Sequence, residues 1–273
     1  MSQNITTKQV NLSPIYIAES YILRANSVGE YSGYSINGKV QGNGVKSLAK
    51  TYSFNQILTQ SGTNLAELSP LMERVSLQSD QMIYQNGDQI DYVYFPETSV
   101  VSEFQILEDG RTTEIAMIGK EGVTGLEVVL DSTTAKNWMR ISVPGKALRI
   151  KAAAFKREFN FNDSFRRVIL QYINFYLEQI SQRLICNCYH LAEKRFCSWL
   201  LMLHDRSENN KVMITHEQIS QFIGTQRATV SRIIHLLREQ KIIRSGRGSI
   251  NILDREKLEE MACSCYEMMK KDF

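Results

Sequence analysis

The 273-residue sequence has 4 prolines, 2 tryptophans and 4 histidines, and none of its 5 cysteines precedes Cys186. Apolar runs such as Val100–Val101 or Ile242–Ile243 fall far short of the ~20 residues that span a bilayer. The N-terminal stretch MSQNITTKQVNLSPIYIAES has no basic segment followed by an apolar one, so no secretory signal is expected. No G-x-S-x-G, H-E-x-x-H, P-loop or dinucleotide fingerprint occurs. His190, His204, His216 and His235 lie on helical patterns without a nucleophile motif or acid pair, which argues against an enzyme. With 43% hydrophobic and 22% charged residues, what remains is a globular, cytoplasmic chain long enough for two domains, with no membrane partner.

Charge is unevenly placed. Residues 51–181 carry 12 basic and 16 acidic side chains, whereas residues 182–251 carry 11 and 5. An acidic middle followed by a basic block suggests a structural or sensing domain joined to one that binds anions. The cysteines are Cys186, Cys188, Cys197, Cys263 and Cys265. An odd number without a signal peptide favours reduced thiols. Both C-x-C pairs fall in helical patterns, where positions i and i+2 face different ways, so they read as small apolar fillers rather than a metal site.

Residues 1–55 form a polar extension, expected to be disordered or weakly stranded. Leu65, Leu68, Leu71 and Val75 then predict a short helix between about Leu58 and Val75. β-prone runs follow at 92–95, 100–107, 112–118, 138–143 and 147–150, separated by turn signals at Asn86-Gly87-Asp88, Asp109-Gly110, Lys120-Glu121-Gly122 and Pro144-Gly145. The fold class is therefore α+β, with an antiparallel roll over 56–160. Over 161–189 a long helix carries Ile169, Ile173, Tyr176 and Ile180 in a coiled-coil rhythm, which predicts a homodimer.

The most informative segment is 212–253, in the last domain (190–273). Thr215 caps a helix bearing Ile219, Phe222 and Ile223, and Gly224 ends it. A second helix, about 225–239 and capped by Thr225, buries Val230, Ile233, Ile234 and Leu237. Its other side offers Gln226, Arg227, Thr229, Ser231 and Arg232, all donors without an acid among them. Ile242–Ile252, with Arg244 and Arg247 around a glycine tip, reads as a two-stranded wing. Arginine forks suit guanine edges and hydroxyls suit phosphates, so this is a helix-turn-helix for double-stranded DNA.

ITHEQISQFIGTQRATVSRIIHLLREQKIIRSGRGSINI closely resembles the winged helix-turn-helix of the Crp–Fnr superfamily of bacterial transcription regulators. The resemblance extends through CNCYHLAEKRFCSWLLMLHDR, VYFPETSVVSEF and EDGRTTEIAMIGKEGVTG, covering roughly 60–273. LDREKLEEMACSCYEMM is similar to a branch whose members lack a recognisable cyclic-nucleotide site. The resemblance implies a cyclic-nucleotide-binding-like roll, a dimerising helix and a recognition helix that reads a pseudo-palindromic operator. Arg227 and Arg232 match the family's base-reading arginines, and Thr229, Gln226 and Thr215 its phosphate-binding positions. Ala228 replaces a glutamate that accepts from cytosine, and Glu217 stands where a relative offers an amide.

Nucleotide-binding members show Gly-Glu-Leu and then an arginine that forks onto the cyclic phosphate. This chain has Gly125-Leu126-Glu127, with the acid displaced by one position and turned to the opposite face of an extended segment, and only Lys136 in place of the arginine. A cyclic nucleotide is therefore not expected as cofactor, and Gly125, Glu127 and Lys136 remain the candidate ligand residues. The cysteines that hold an iron–sulfur centre in the oxygen-sensing branch are missing. Two alternatives stay open: a thiol or metal redox sensor using Cys186, Cys188 and Cys197, and a true cyclic-nucleotide-responsive regulator. Activation would need a surface for RNA polymerase, and composition marks none.

Overall fold

The structure, a computed structural model, describes residues 55–60, 68–207 and 210–270. Residues 1–54 of the expected polar extension (1–55), and Leu65 of the expected first helix, lie outside the described residues, whereas Asn55 is buried and ordered by donating to the Pro96 and Gly122 carbonyls. A five-residue helix, α1 (Gln56–Gln60), buries Ile57 and Leu58. Leu68 is helical, but the expected helix does not reach Val75: Ser69–Leu71 is a single 3₁₀ turn, and Val75 lies in strand β1 (Met72–Leu77). Pro70 at the start of that turn can donate no hydrogen bond, and the chain leaves it extended.

The roll is two antiparallel sheets. One has the order β1–β7–β3, with β3 at Tyr92–Pro96 and β7 at Gly145–Lys151. The other has the order β2–β6–β4–β5, with β2 at Met82–Tyr84, β4 at Val100–Ile106, β5 at Thr112–Ile118 and β6 at Trp138–Val143. Val93 and Phe95 pair with Ile150 and Leu148, and alternate residues point into the roll. β4 is buried along its first five residues because both of its faces are covered. Val101 joins the core of the roll, whereas Val100 joins the core of the C-terminal domain.

Helix α2 (Ala152–Phe161) leads to α3 (Asp163–Tyr189), whose N-cap Asn162 accepts from the Phe165 amide. Ile169 is fully buried against the roll, and Ile173, Tyr176 and Ile180 are partly covered. The outward stripe is offset by one position from the expected seam. Leu170, Leu177 and Leu184 are 51%, 55% and 64% exposed at seven-residue spacing, with Ile173 and Ile180 between them. That is a complete a/d pattern, free on the described surface.

The C-terminal domain comprises α4 (Ala192–Arg206), β8 (Lys211–Met213), α5 (His216–Phe222), α6 (Arg227–Glu239), β9 (Ile243–Gly246), β10 (Ser249–Ile252), α7 (Arg255–Met261) and α8 (Cys265–Met269). Its core is Phe196, Trp199, Leu200, Ile219, Phe222, Val230, Ile233, Ile234 and Leu237, with Trp199 stacked on Phe222 at 5.6 Å. Burial of each such side chain contributes roughly 1.5–3 kcal/mol. Among the described residues no helix is long and apolar enough to cross a membrane.

The domain also packs on the roll. Arg206 Nε donates to Glu121 at 2.7 Å, Gln218 Nε2 donates to Asp80 at 2.7 Å, and the Arg140 guanidinium lies over the Phe222 ring. Glu114 on β5 is completely buried and accepts from Ser102 of the roll, Arg183 of α3 and the Trp199 indole of α4.

Candidate nucleic-acid interface and sensor cavity

The helix pair begins at Thr215, whose hydroxyl oxygen accepts from the Gln218 amide while Gln218 reaches back to the Thr215 N–H. This capping box fixes the first turn of α5. Gly224 takes φ +59°, a left-handed conformation that suits glycine at a helix end. Thr225 does not cap α6: its N–H bonds to the Ser220 carbonyl and remains part of the turn, so the N-cap is Gln226, without a side-chain cap bond. α6 ends at Glu239, and the chain turns out of it through Lys241, a residue with φ +59°, with bonds from Lys241 N–H to the Arg238 carbonyl and from Ile242 N–H to the Leu237 carbonyl.

Along α6, Gln226, Arg227, Ala228, Ser231 and Arg232 are exposed and Thr229 is half-buried. Thr229 Oγ1 accepts from Arg232 at 3.4 Å, and Ser231 Oγ meets His216 Nδ1 at 3.0 Å. Burial, and then the Arg227 charge, hold His216 below its ordinary pKa. β9 and β10 pair as expected, with Arg244 exposed on β9 and Arg247 exposed at the turn beside Gly248. The wing sheet has a third strand, because β8 pairs with β10 on its other edge.

Among the described residues, Arg227, Arg232, Arg244 and Arg247 pair with no carboxylate, whereas Arg74, Arg149, Arg183, Arg206 and Arg255 all do. Arg238 on α6, Arg167 on α3 and Arg195 on α4 also lack a carboxylate, so among the described residues five of the seven uncompensated guanidinium groups lie on one helix and its wing. A cavity of about 930 Å³ separates the N-terminal end of α6 from the β4–β5 hairpin; Thr112 and Thr113 line one side, and Gln226 and Thr229 the other.

A second cavity, about 320 Å³, lies between the roll and α3. Gly125, Glu127 and Lys136 all line it. The extended-segment expectation for Glu127 is corrected: Leu126–Leu130 is a 3₁₀ turn entered through Gly125 at φ +70°, and it brings Glu127 to the Lys136 N–H at 3.3 Å. Sequence reasoning missed Glu103, Asn137 and Tyr176, which line the same space. Glu103 accepts from Tyr176 and Asn137. The signal available was an acid within the apolar run of β4. Lys136 Nζ is shared with Thr134 Oγ1 at 3.4 Å, so two carboxyl groups face one partly engaged ammonium.

Burial pushes the Glu103 carboxyl up to about 7, against the opposing hydrogen bonds from Tyr176 and Asn137. Below about pH 4.5 this group is protonated in both the folded and the unfolded chain. As pH rises from there to about 7, the folded state retains a proton that the unfolded chain releases, so stability falls by up to about 3 kcal/mol and then levels. Urea midpoints compared between about pH 5 and about pH 8 should show this fall, and Glu103→Gln should abolish that part of it. An identical pH slope in the variant would remove Glu103 as its origin.

The cysteines depart from their expected role. Cys188 is exposed and Cys197 fills the C-terminal core. Cys263, however, sits in the non-helical link between α7 and α8, which frees the second C-x-C pair from the helical constraint. Cys186, His190, Cys263 and Cys265 consequently converge, with donor atoms within 4.8 Å of one another. The contact with Cys186 holds the Cys263 thiol down and pushes the Cys186 thiol up.

A two-sheet roll, a long helix and a winged helix-turn-helix, in that order, define a sensor joined to a nucleic-acid reader. Residues 74–161 match the cyclic nucleotide-binding domain and residues 194–261 the Crp-like helix-turn-helix domain. The chain thus carries a cyclic nucleotide-binding domain and a Crp-like helix-turn-helix domain, the two domains of Crp–Fnr transcription regulators, to which it is similar. It is 34% identical over 71 residues to the cyclic AMP receptor protein of Thermus thermophilus, a stretch that is 26% of this chain and 33% of that protein. The chain thus matches about a third of the length of this curated relative. Its fold is similar to that of FixK2 from Bradyrhizobium japonicum, with TM-score 0.61 and 20% identity over 71% of this chain and 98% of that one. A CRP-family transcriptional regulator from Thermus thermophilus has TM-score 0.60 and 17% identity, over 70% of this chain and 96% of that one.

Proposed function

We propose that the chain is a dimeric, sequence-specific DNA-binding regulator of transcription that acts in the cytoplasm, with α6 in the major groove and the wing on the adjacent backbone. The observation that carries this reading is the group of exposed arginines, Arg227 and Arg232 on α6 and Arg244 and Arg247 on the wing, that have no carboxylate partner among the described residues. Gln226, Ser231 and Thr229 add hydrogen-bond donors, Thr215 an exposed hydroxyl at the start of α5, and Ala228 leaves room against a base. Catalysis has no part in the reading.

Two copies would pair through Leu170, Ile173, Leu177, Ile180 and Leu184 of α3, setting two recognition helices on half-sites one helical turn apart. Ile173, Leu177 and Ile180 also line the sensor cavity, so whatever fills it presses on the dimer seam. Among the described residues the cavity is lined by Glu103 and Glu127 and by no arginine, so this reading gives its occupant no guanidinium fork for a cyclic phosphate.

The test is selection from a randomised double-stranded DNA pool with the purified full chain and no added ligand. A two-fold symmetric motif is the expected result. DNA retention without a motif, persisting when cyclic nucleotides, metals and reductants are supplied in turn, would sink the proposal.

A further inference from the structure

Cys186 lies in the last turn of α3, and His190 follows four residues later at its C-cap, so the two leave the same side of the helix. Facing them are Cys263, in the link after α7, and Cys265, the first residue of α8. Cys186 Sγ is 3.4 Å from Cys263 Sγ, and Cys265 Sγ is 3.4 Å from His190 Nδ1. All three sulfurs belong to buried residues and the imidazole is half-buried.

We propose that Cys186, His190, Cys263 and Cys265 form a closed tetrahedral site for a single zinc ion. Zinc–sulfur bonds of about 2.3 Å and zinc–nitrogen bonds of about 2.0 Å set tetrahedral donors roughly 3.5–3.8 Å apart. The four donors already lie within 4.8 Å of one another, so closure on an ion needs a contraction of about 1 Å at most. A four-iron cluster fits less well, because each of its ligands binds a different iron and the donors stand farther apart. A Cys186–Cys263 disulfide would account for two of the residues and leave the convergence of Cys265 and His190 without a cause.

The surroundings suit thiolates. Gln182 Nε2 donates to Cys265 Sγ at 2.9 Å. The Ser198 oxygen accepts from the Cys263 N–H at 3.1 Å, which leaves its own proton to point at Cys263 Sγ, 3.0 Å away. Such outer donors orient and stabilise metal-bound sulfur. Three thiolates, a neutral imidazole and Zn²⁺ sum to one negative charge. Arg195, whose buried Nε has no hydrogen-bond partner, lies close enough to interact with Cys186 and Cys263 and supplies the compensating charge. The ion would fasten the end of α3 to α7 and α8, fixing the C-terminal domain on the long helix.

The experiment uses the full chain purified without oxygen in thiol reductant, and reads metal directly, independently of DNA binding. Elemental analysis should find one zinc per chain. After chelation, cobalt(II) should restore the intense visible bands of a tetrahedral site and a sulfur-to-metal charge-transfer band. Cys265→Ser and His190→Ala should each weaken zinc binding at least tenfold, while Cys188→Ser leaves it unchanged. A wild-type chain that is folded by circular dichroism yet takes up neither metal overturns the site. So does an octahedral cobalt spectrum, or metal affinity that is unchanged in both ligand variants.

Discussion

Replacing Arg227 with alanine lowers affinity for the selected operator by about 1–3 kcal/mol, roughly five- to 150-fold, and relaxes preference at one base pair. Arg227 is exposed near the start of α6 with no carboxylate partner, so its guanidinium fork is available to a guanine edge. Thr229→Ala and Arg247→Ala behave differently. Each weakens binding to operator and unrelated DNA alike, and Arg247→Ala also reduces the salt-dependence slope by about 1. Titrations of the three variants against both DNAs at two salt concentrations separate the cases. Equal loss on both DNAs for Arg227→Ala would refute its base-reading role.

Glu114→Gln is expected to cost about 3–5 kcal/mol of stability, seen as a lower urea midpoint. The glutamine keeps the volume but leaves Arg183, only 12% exposed, without its counter-charge. It also weakens the acceptor for the Trp199 indole, whose bond of 2.9 Å ties α4 to the roll. Glu73→Gln, which removes the exposed pair with Arg149, should cost less than about 1 kcal/mol. A loss below about 1 kcal/mol for Glu114→Gln would show that the roll and the C-terminal domain are held together by other contacts.

The strands of the roll were legible because glycine turns punctuate β-prone runs, and β3 to β7 lie where those runs predict them. β1 was not: Met72–Leu77 carries Glu73 and Arg74, which pair with Arg149 and Glu97, so charge masks its alternation. β2 has only three residues, too few for any period. Of the expected seam, Ile169 is buried by the roll while Leu170, Leu177 and Leu184 are exposed, a fact of packing that helical rhythm does not encode.

The residues proposed to read DNA can be singled out from sequence because they lie on one short segment. The cavity residues Glu103 and Tyr176 stand 73 positions apart, and Cys186 and Cys263 77. Their meeting depends on how α3 lies across the whole molecule. The second cysteine pair was further hidden by a helix break at Ala262 that no glycine or proline announces.

Helix α3 is a lever with its two ends gripped by different bodies. Ile173 and Tyr176 stand at the sensor cavity, and Cys186 stands among the C-terminal helices. The continuous helix from Ile173 to Cys186 spans about 20 Å. A tilt of about five degrees at the cavity end would move the far end by roughly 2 Å. That exceeds the tolerance of a hydrogen bond yet falls well below what breaks a helix, so under the proposed function a small change of filling in the roll would reach the winged domain as a choice of contacts.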